Sequence, residues 1–176
     1  NTKQFYSFVS LFFVIVIFFI VSLKNKKISK EKNIKGKICI IIDDFGNSEN
    51  DLHRDFLTLP NKISISIIPG YRYSEDIAYM AYKYGFETII HMPMEAHNIK
   101  ANHHNKYLLT TDLDFNEVNN RIKNAFIENP NALGINNHQG SKATEDFQLM
   151  KYVAKSLKQL NKYFLDSYTS INSKAY

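Results

Sequence analysis

The sequence predicts an α/β fold with a mainly parallel sheet, because of two patterns. Apolar runs of strand length alternate about five times with segments of helical spacing, which is the order of a parallel sheet with crossover helices. The runs are continuous rather than alternating, as expected where both faces of a strand are covered. With 176 residues, of which 44% are apolar, the chain suits one globular domain plus an appendage.

The appendage is an apolar segment near the start of the chain. Residues 5–23 carry no charge, and at ~1.5 Å rise per residue a helix of this length would cross the hydrocarbon of a bilayer. We expect an uncleaved transmembrane anchor, because a cleaved signal peptide has a shorter apolar core and a small-x-small site. Residues 24–36 are polar and lysine-rich and are expected to form a linker. The globular domain is then expected over residues 37–176.

Positive charge is concentrated beside this apolar segment. The net charge is +5, but residues 1–32 hold six Lys and one Glu, whereas residues 33–176 hold sixteen basic and sixteen acidic side chains. The domain is therefore neutral, which argues against a nucleic-acid partner. The lysines after the apolar segment favour a cytoplasmic domain under the positive-inside rule. The chain begins with Asn1 rather than Met, so we expect upstream residues whose charges would also count.

Strands and helices follow one another along the domain. We expect strands at 37–42, 63–68, 86–90, 132–135 and 163–165, helices at 48–59, 74–84, 114–128 and 144–160, and a long polar loop at 95–112. Gly85 suits a helix C-cap, and Asp114 with Glu117 resembles a capping box. The single cysteine, Cys39, is expected to be a small core residue of the first strand.

Three of these strands end in side chains that commonly bind metals. Asp43 and Asp44 follow the first strand, whereas His91 and His138 follow the third and the fourth. Because the carboxyl ends of parallel strands meet at one rim, we expect these side chains to converge. One carboxylate with two imidazoles is a common set of ligands for a divalent metal, and a second carboxylate could act as a general base. Such a site hydrolyses amides, esters or phosphates, and the ligands alone do not choose between them.

Ordinary structural roles could also explain these residues one at a time. Asp44 could cap the turn after the strand, with Asp43 solvated, and a lone histidine such as His91 is more often a hydrogen-bonded core residue than a ligand. The polar run around His138 is harder to explain by packing, because its amides can orient an imidazole. Asp166 closes the fifth strand at the same rim, so it could hold a ligand, orient a histidine or cap a helix. The loop histidines are expected to be solvated: His97, His103 and His104.

Five short pieces of the chain follow one another in a fixed order. They are Ile41-Ile42-Asp43-Asp44-Phe45-Gly46, Ile65-Ser66-Ile67-Ile68-Pro69, His91-Met92-Pro93-Met94-Glu95, Gly134-Ile135-Asn136-Asn137-His138-Gln139-Gly140-Ser141 with Thr144, and Leu165-Asp166-Ser167 with Thr169. Each piece is short, but the ordered set is specific, and it resembles the divergent polysaccharide deacetylase family. The resemblance implies an irregular (β/α) barrel of the glycoside hydrolase/deacetylase type. It also implies that the barrel is incomplete at its C-terminus, because the family domain continues beyond residue 176.

The resemblance also implies roles for residues at matching positions. Asp44, His91 and His138 would bind a divalent metal, with zinc as the expected ion, and Asp43 would be the base that activates water. The familiar carbohydrate deacetylases place two histidines one helical turn apart in one motif. Here His91 is followed by Met-Pro-Met-Glu, so His138 is the expected second histidine. Asp166 is expected to be catalytic, and four residues are expected to contact the substrate or support the ligands: Asn136, Asn137, Ser141 and Ser167.

The expected function is therefore that of a metal-dependent hydrolase that removes N-acetyl groups from an envelope polysaccharide or related glycan. The resemblance implies a single-pass membrane protein with its domain outside the cytoplasm, and we adopt that location over the one that the lysines favour. One alternative is a non-catalytic envelope factor that binds a glycan or a protein on the same fold. A metallo-phosphoesterase is a further alternative.

Overall fold

The computed structural model describes residues 16–17, 36–48, 55–101 and 104–175. The chain divides into two compact units, Asn1–Ile38 and Cys39–Tyr176. The second unit contains the sheet and the candidate site.

The predicted anchor at 5–23 and linker at 24–36 lie almost entirely outside the described residues, which include only Val16, Ile17 and Gly36 of these two segments. Within the described part of the chain, no helix is long and apolar enough to cross a membrane. The anchor and the linker therefore stay predictions.

The second unit is built on a five-stranded parallel sheet whose strands follow one another in chain order. The strands are β1 (Ile41–Phe45), β2 (Ser64–Ile67), β3 (Glu87–Met94), β4 (Gly134–Gln139) and β5 (Tyr163–Leu165). The crossovers among the described residues contain the helices α1 (Ser74–Lys83), α2 (Phe115–Glu128) and α3 (Phe147–Leu160). The prediction of an α/β fold with a parallel sheet is confirmed.

Two apolar clusters hold the helices to the sheet. One joins α2 and α3 to β3 and β4, and it includes Ile90, Met92 and Met94. The other joins α1 to β1 and β2 around Phe45 and Ile77. Burial of each such side chain contributes about 1.5–3 kcal/mol of hydrophobic free energy. Because side chains alternate along a strand, the packing of one face of β3 on the helices leaves the other face for polar side chains.

The helix ends follow local sequence chemistry. The predicted capping box is confirmed: the Asp114 carboxylate accepts a hydrogen bond from the Glu117 backbone N–H at 2.9 Å, and the Glu117 carboxylate accepts one from the Asp114 N–H at 3.1 Å. Gly85 follows α1 with φ +78°, a left-handed conformation that glycine adopts without strain. Of the helix predicted at 48–59, residues 49–54 lie outside the described part of the chain, and residues 55–57 form a helical turn.

The predicted bounds of three strands, and one predicted core residue, were wrong. β1 begins at Ile41, and Cys39 before it is exposed, because β1 is an edge strand of the sheet. β3 and β4 continue to Met94 and Gln139, well past their predicted ends. The two strands pair in register over this extension, and backbone pairing does not depend on whether the side chains are polar.

Candidate metal centre

A bulge in β1 brings both carboxylates of the acid pair to one site. Because the register with β2 shifts between Ile42 and Phe45, Asp43 and Asp44 lie opposite the single residue Ser66. Asp44 has φ 70°, in the left-handed region that Asp adopts more readily than most residues. Neighbouring side chains of a regular strand point to opposite faces, and a bulge can redirect one of them. The bulge therefore explains why adjacent acids both reach the histidines.

The residues after the acid pair fix this arrangement. Phe45 is buried among the side chains of α1 and β2, so it anchors the end of β1 in the core. Gly46 has φ +122°, and a Cβ atom at this position would lie 2.8 Å from the carbonyl oxygen of Ile68. In the Asp-Asp-Phe-Gly sequence, packing and backbone geometry therefore explain the phenylalanine and the glycine. They do not explain the two acids, which lie at the candidate site.

The structure brings Asp44, His91 and His138 together as the sequence predicts. The Oδ1 atom of Asp44 lies 3.1 Å from Nε2 of His91 and 3.0 Å from Nδ1 of His138. The imidazole ring centroids are 4.9 Å apart, and the rings are inclined at 72°. One ligand atom from each residue lies within 4.8 Å of those of the other two. These three residues form the candidate metal centre.

The donor set fits a divalent ion. Neighbouring ligands of a tetrahedral ion at ~2.0–2.1 Å would be roughly 3.3 Å apart, close to the two distances from Asp44 to the histidines. Two imidazoles and one carboxylate form the ligand set of several catalytic zinc sites. The His91 side chain is only 5% exposed, whereas that of Asp44 is 68% exposed, so the centre is held by the sheet on one side and open to solvent on the other.

Asn136 connects the centre to the second acid, Asp43. The Nδ2 atom of Asn136 donates a hydrogen bond to Oδ1 of Asp43 at 2.9 Å. Its Oδ1 atom lies 2.9 Å from Nδ1 of His91 and accepts a hydrogen bond from Ser66 at 2.6 Å. Ser66 was not among the predicted site residues. The alternation Ile-Ser-Ile-Ser-Ile at 63–67 places two serines on one face of a strand, and this signal could have found it.

The other predicted support residues hold the chain near the rim. The Oδ1 atom of Asn137 accepts a hydrogen bond from the Ser167 backbone N–H at 2.8 Å, and its Nδ2 atom donates to the carbonyl oxygen of Gln139. The Ser141 hydroxyl accepts a hydrogen bond from the His97 backbone N–H at 3.1 Å. These contacts are structural, so substrate contact by Asn137, Ser141 and Ser167 stays a prediction.

Asp166 has a local role in the structure. Its Oδ1 atom accepts a hydrogen bond from the Tyr168 backbone N–H at 2.8 Å. Its Oδ2 atom is buried without a hydrogen-bond partner among the described residues. The carboxylate of Asp166 therefore stabilises the turn that follows β5. Its catalytic role stays a prediction.

Charged groups near the centre are paired within the loops. Burial raises the pKa of Glu95, but hydrogen bonds from Lys142 and Thr111 outweigh it and hold that pKa below its ordinary value. Hydrogen bonds from Ser170 and then His97 lower the pKa of Glu145. The His97 imidazole, which is 59% exposed, lies 3.0 Å from the Glu145 carboxylate.

A small open cleft adjoins the centre at His138. The cleft is lined by Tyr71, Pro93, Met94, Ala101, Asn105, Leu108, His138 and Gln139. Most of these side chains are apolar, and the space between them is about that of one water molecule.

These features define an α/β protein with a candidate metal centre at the carboxyl ends of parallel strands. The chain matches the model of the divergent polysaccharide deacetylase family over residues 40–176. It therefore belongs to that family, and the resemblance read from its five motifs is confirmed.

Two curated relatives support this assignment. The chain is 35% identical over 145 residues to the uncharacterized protein YibQ of Escherichia coli (strain K12), a match that covers 81% of this chain and 44% of YibQ. It is also 35% identical over 135 residues to an uncharacterized protein of Haemophilus influenzae (strain ATCC 51907 / DSM 11121 / KW20 / Rd), covering 77% of this chain and 47% of that protein. The chain thus spans about half the length of the curated relatives it matches.

A solved structure shows the same fold. The crystal structure of the uncharacterized protein ATU2773 from Agrobacterium tumefaciens C58 is similar to the chain with a TM-score of 0.70. The match covers 81% of this chain and 58% of that one, at 16% sequence identity. At this identity the similarity supports the α/β fold and not a shared activity.

Proposed function

We propose that this protein is a metal-dependent hydrolase that removes N-acetyl groups from an envelope polysaccharide or a related glycan. Membership of the divergent polysaccharide deacetylase family supports the reaction class. The observation that carries the proposal is the convergence of Asp44, His91 and His138, whose ligand atoms lie within 4.8 Å of one another. Two imidazoles and one carboxylate with ligand atoms at one rim are the set that a divalent metal centre requires.

The metal in this proposal is a divalent ion, with zinc the first candidate. Two imidazoles and one carboxylate favour zinc over magnesium or calcium, which prefer ligand sets made of oxygen atoms. The bound ion would polarise the acetyl carbonyl group and lower the pKa of a water molecule.

Asp43 is the proposed general base. Its side chain is 39% exposed, so water can reach it, and Asn136 holds its Oδ1 atom. In the proposed reaction Asp43 accepts a proton from the attacking water as the water oxygen adds to the amide carbon. The C–N bond then breaks and the same proton passes to the departing amine, so one water and one N-acetyl group give acetate and a free amine.

The proposal includes the wider fold and the location. Residues 5–23 would anchor the protein in the membrane once, with the domain outside the cytoplasm facing an envelope glycan. The support is the length of the uncharged run and the family assignment. We also propose that the sheet belongs to an irregular (β/α) barrel, since five parallel strands in chain order are the arrangement of such barrels.

Release of acetate from N-acetylglucosamine oligomers tests this function directly. The full-length protein in detergent is loaded with Zn²⁺, and acetate is quantified by proton NMR before and after treatment with a chelator. We expect activity that is lost with chelator and restored by Zn²⁺. The variants His138→Ala and Asp44→Asn should lower the rate by about 100-fold or more, since each removes a metal ligand. His104→Ala, an exposed loop histidine, is the matched control and should keep the wild-type rate.

The other outcomes favour the competing functions. Stoichiometric Zn²⁺ binding without acetate release from any N-acetylated oligomer would contradict the deacetylase and favour a non-catalytic glycan- or protein-binding factor. Release of phosphate from model esters, without release of acetate, would favour a phosphoesterase.

A further inference from the structure

We propose that Asn136 is a positioning residue that fixes the tautomer and the ring orientation of His91 and ties that ring to Asp43. This inference rests on the proposed metal-dependent function. It concerns the hydrogen bonds around the proposed ligands. The oxygen of the Asn136 amide contacts His91, a proposed ligand, and its nitrogen contacts Asp43, the proposed base.

The Asp43 carboxylate determines which way the Asn136 amide points. An ionised carboxylate only accepts hydrogen bonds, so the amide atom 2.9 Å from Oδ1 of Asp43 must be the nitrogen. The amide oxygen then points the other way, where the Ser66 hydroxyl donates to it at 2.6 Å. The opposite orientation would place two acceptors against each other at the Asp43 contact.

The amide orientation in turn determines the tautomer of His91. Oδ1 of Asn136 has no proton, so Nδ1 of His91, 2.9 Å away, must be the protonated ring nitrogen. In a neutral imidazole the lone pair then lies on Nε2, the atom 3.1 Å from Oδ1 of Asp44, so two acceptors face each other there and a cation bound between them would relieve the contact. Asn136 thus directs the metal-binding nitrogen of His91 toward the centre.

Burial makes this network hard to replace with water. His91 is 4% exposed, Asn136 is 2% exposed and Ser66 is fully buried. His91 and Asn136 are also paired across the β3–β4 ladder, so their backbones are held side by side. A side chain on a rigid strand with all its hydrogen bonds made to protein groups holds its partners more precisely than a loop residue.

The same amide couples the ligand to the base. Oδ1 of Asp43 lies 3.8 Å from Nδ1 of His91, too far for a hydrogen bond, and Asn136 bridges the two. The amide therefore sets the distance between the proposed base and the proposed ligand. Loss of its donor end should displace Asp43, whereas loss of its acceptor end should release His91.

Two substitutions separate these two ends. Asn136→Leu removes both ends, and Asn136→Asp keeps an acceptor for His91 while losing the donor to Asp43. We expect Asn136→Leu to give a mixture of His91 tautomers and to weaken Zn²⁺ binding by about 10–100-fold. We expect Asn136→Asp to keep the wild-type tautomer, because a carboxylate oxygen still accepts from Nδ1 of His91, while kcat falls because the second carboxylate repels Asp43.

The tautomer is read from the ¹⁵N chemical shifts of the His91 ring at about pH 8, with Zn²⁺ bound and with the metal removed. Zn²⁺ affinity is measured by competition with a chromophoric chelator, and both readouts are independent of acetate release. The matched control is Asn129→Asp, a buried amide whose oxygen binds Thr88, and it should change neither readout.

A second variant protects the test from misfolding of Asn136→Leu. Asp43→Leu is nearly isosteric at a partly exposed position, and it leaves no acceptor for the Asn136 amide nitrogen. It should therefore mix the His91 tautomers although Asp43 makes no direct hydrogen bond to that ring. A folded Asn136→Leu, or Asp43→Leu in its place, that keeps a single wild-type tautomer would overturn the inference. A wild type with the fixed tautomer but without acetate release would defeat only the proposed function.

Discussion

The Oδ1 atom of Asp44 lies 3.0 Å from Nδ1 of His138, although the two residues are 94 positions apart in the chain. Their strands, β1 and β4, are separated in the sheet by β2 and β3. Three strand spacings in a flat sheet would amount to roughly 14 Å, which an aspartate and a histidine side chain do not bridge. The sheet is therefore concave on the face that carries the candidate metal centre.

The left-handed backbone of Asp44 predicts that valine at this position destabilises the fold more than glycine does. At φ 70° a β-branched side chain is strained, whereas glycine is not. We expect Asp44→Val to be less stable than Asp44→Gly by about 1–2 kcal/mol in the free energy of unfolding. Both variants lose the carboxylate, so a difference between them reports backbone strain and not metal binding. Urea denaturation of the metal-free proteins measures it.

Asp43 supplies the matched control for this comparison. It lies in the same strand and is not among the residues with positive φ. There the order should reverse, with Asp43→Val at least as stable as Asp43→Gly, because valine favours strands. An equal effect of valine at both positions would contradict the bulge geometry.

The convergence of the three proposed ligands could be predicted because it follows from a general rule. Parallel strands present their carboxyl ends at one rim, so acids and histidines at strand ends must lie near one another. The capping box at Asp114 could be predicted for a similar reason, since it depends on residues only three positions apart.

Features that depend on pairing between strands were not predictable in the same way. The bulge at Asp43 and Asp44 exists only in the register with β2, and nothing local marks it. The predicted fourth strand ends at residue 135 because the run that follows is polar, but Asn136 and His138 continue β4 beside β3. The hydrogen bonds of Asn136 satisfy its buried polar atoms, so a polar residue can continue the strand there.

The lowered pKa of Glu95 predicts a pH dependence of stability. A carboxyl group whose folded pKa lies below its unfolded value of 4.5 stabilises the fold above that value, and the contribution is lost as the pH falls through the folded pKa. Glu95→Gln keeps an acceptor for Thr111 but cannot titrate. We therefore expect the variant to lose less stability than the wild type between about pH 5 and pH 3.

Urea midpoints measured at half-unit steps of pH check this expectation. Glu75→Gln, which replaces an exposed acid in the first turn of α1, is the control. Below pH 5 its urea midpoint should fall with pH more nearly as that of the wild type does. A Glu95→Gln protein with the full wild-type slope would show that the pairing with Lys142 and Thr111 does not stabilise the fold.

The close approach of β4 and β5 predicts that Gly134 tolerates no side chain. A Cβ atom there would lie 2.6 Å from both the ring and the carbonyl oxygen of Tyr163. We expect Gly134→Ala to destabilise the fold by about 1–3 kcal/mol, which thermal and urea unfolding would measure. Adding Tyr163→Ala should recover only part of this loss, because it removes the ring but leaves the carbonyl oxygen.

Gly36 is the matched control for that substitution. Among the described residues, none lies within 4 Å of a Cβ atom added at Gly36, so Gly36→Ala should be neutral within about 0.5 kcal/mol. Full rescue of Gly134→Ala by Tyr163→Ala would contradict the contact with the backbone and assign the whole effect to the ring.

The hydrogen bonds of Asn137 predict that removing its side chain disorders the segment after β5 and leaves the rest of the domain folded. Its buried amide binds the Ser167 N–H at 2.8 Å and Oγ1 of Thr169 at 3.2 Å, so it holds the segment that follows the strand. Asn137→Ala leaves these groups without their partner, which costs about 1–3 kcal/mol. We expect the Ser167 amide to exchange faster with deuterium by about tenfold or more, while amides of α2 keep their protection.

Hydrogen exchange followed by NMR resolves the two regions in one experiment. Asn131→Ala, which replaces an exposed amide, is the control and should leave the Ser167 amide unchanged. Wild-type protection of the Ser167 amide in Asn137→Ala would show that β5 itself, and not Asn137, holds the segment. Asn137→Ala could instead show faster exchange at Ser167 with an unchanged rate of acetate release. Catalysis would then not depend on the order of this segment, which would count against the predicted site roles of Asp166 and Ser167.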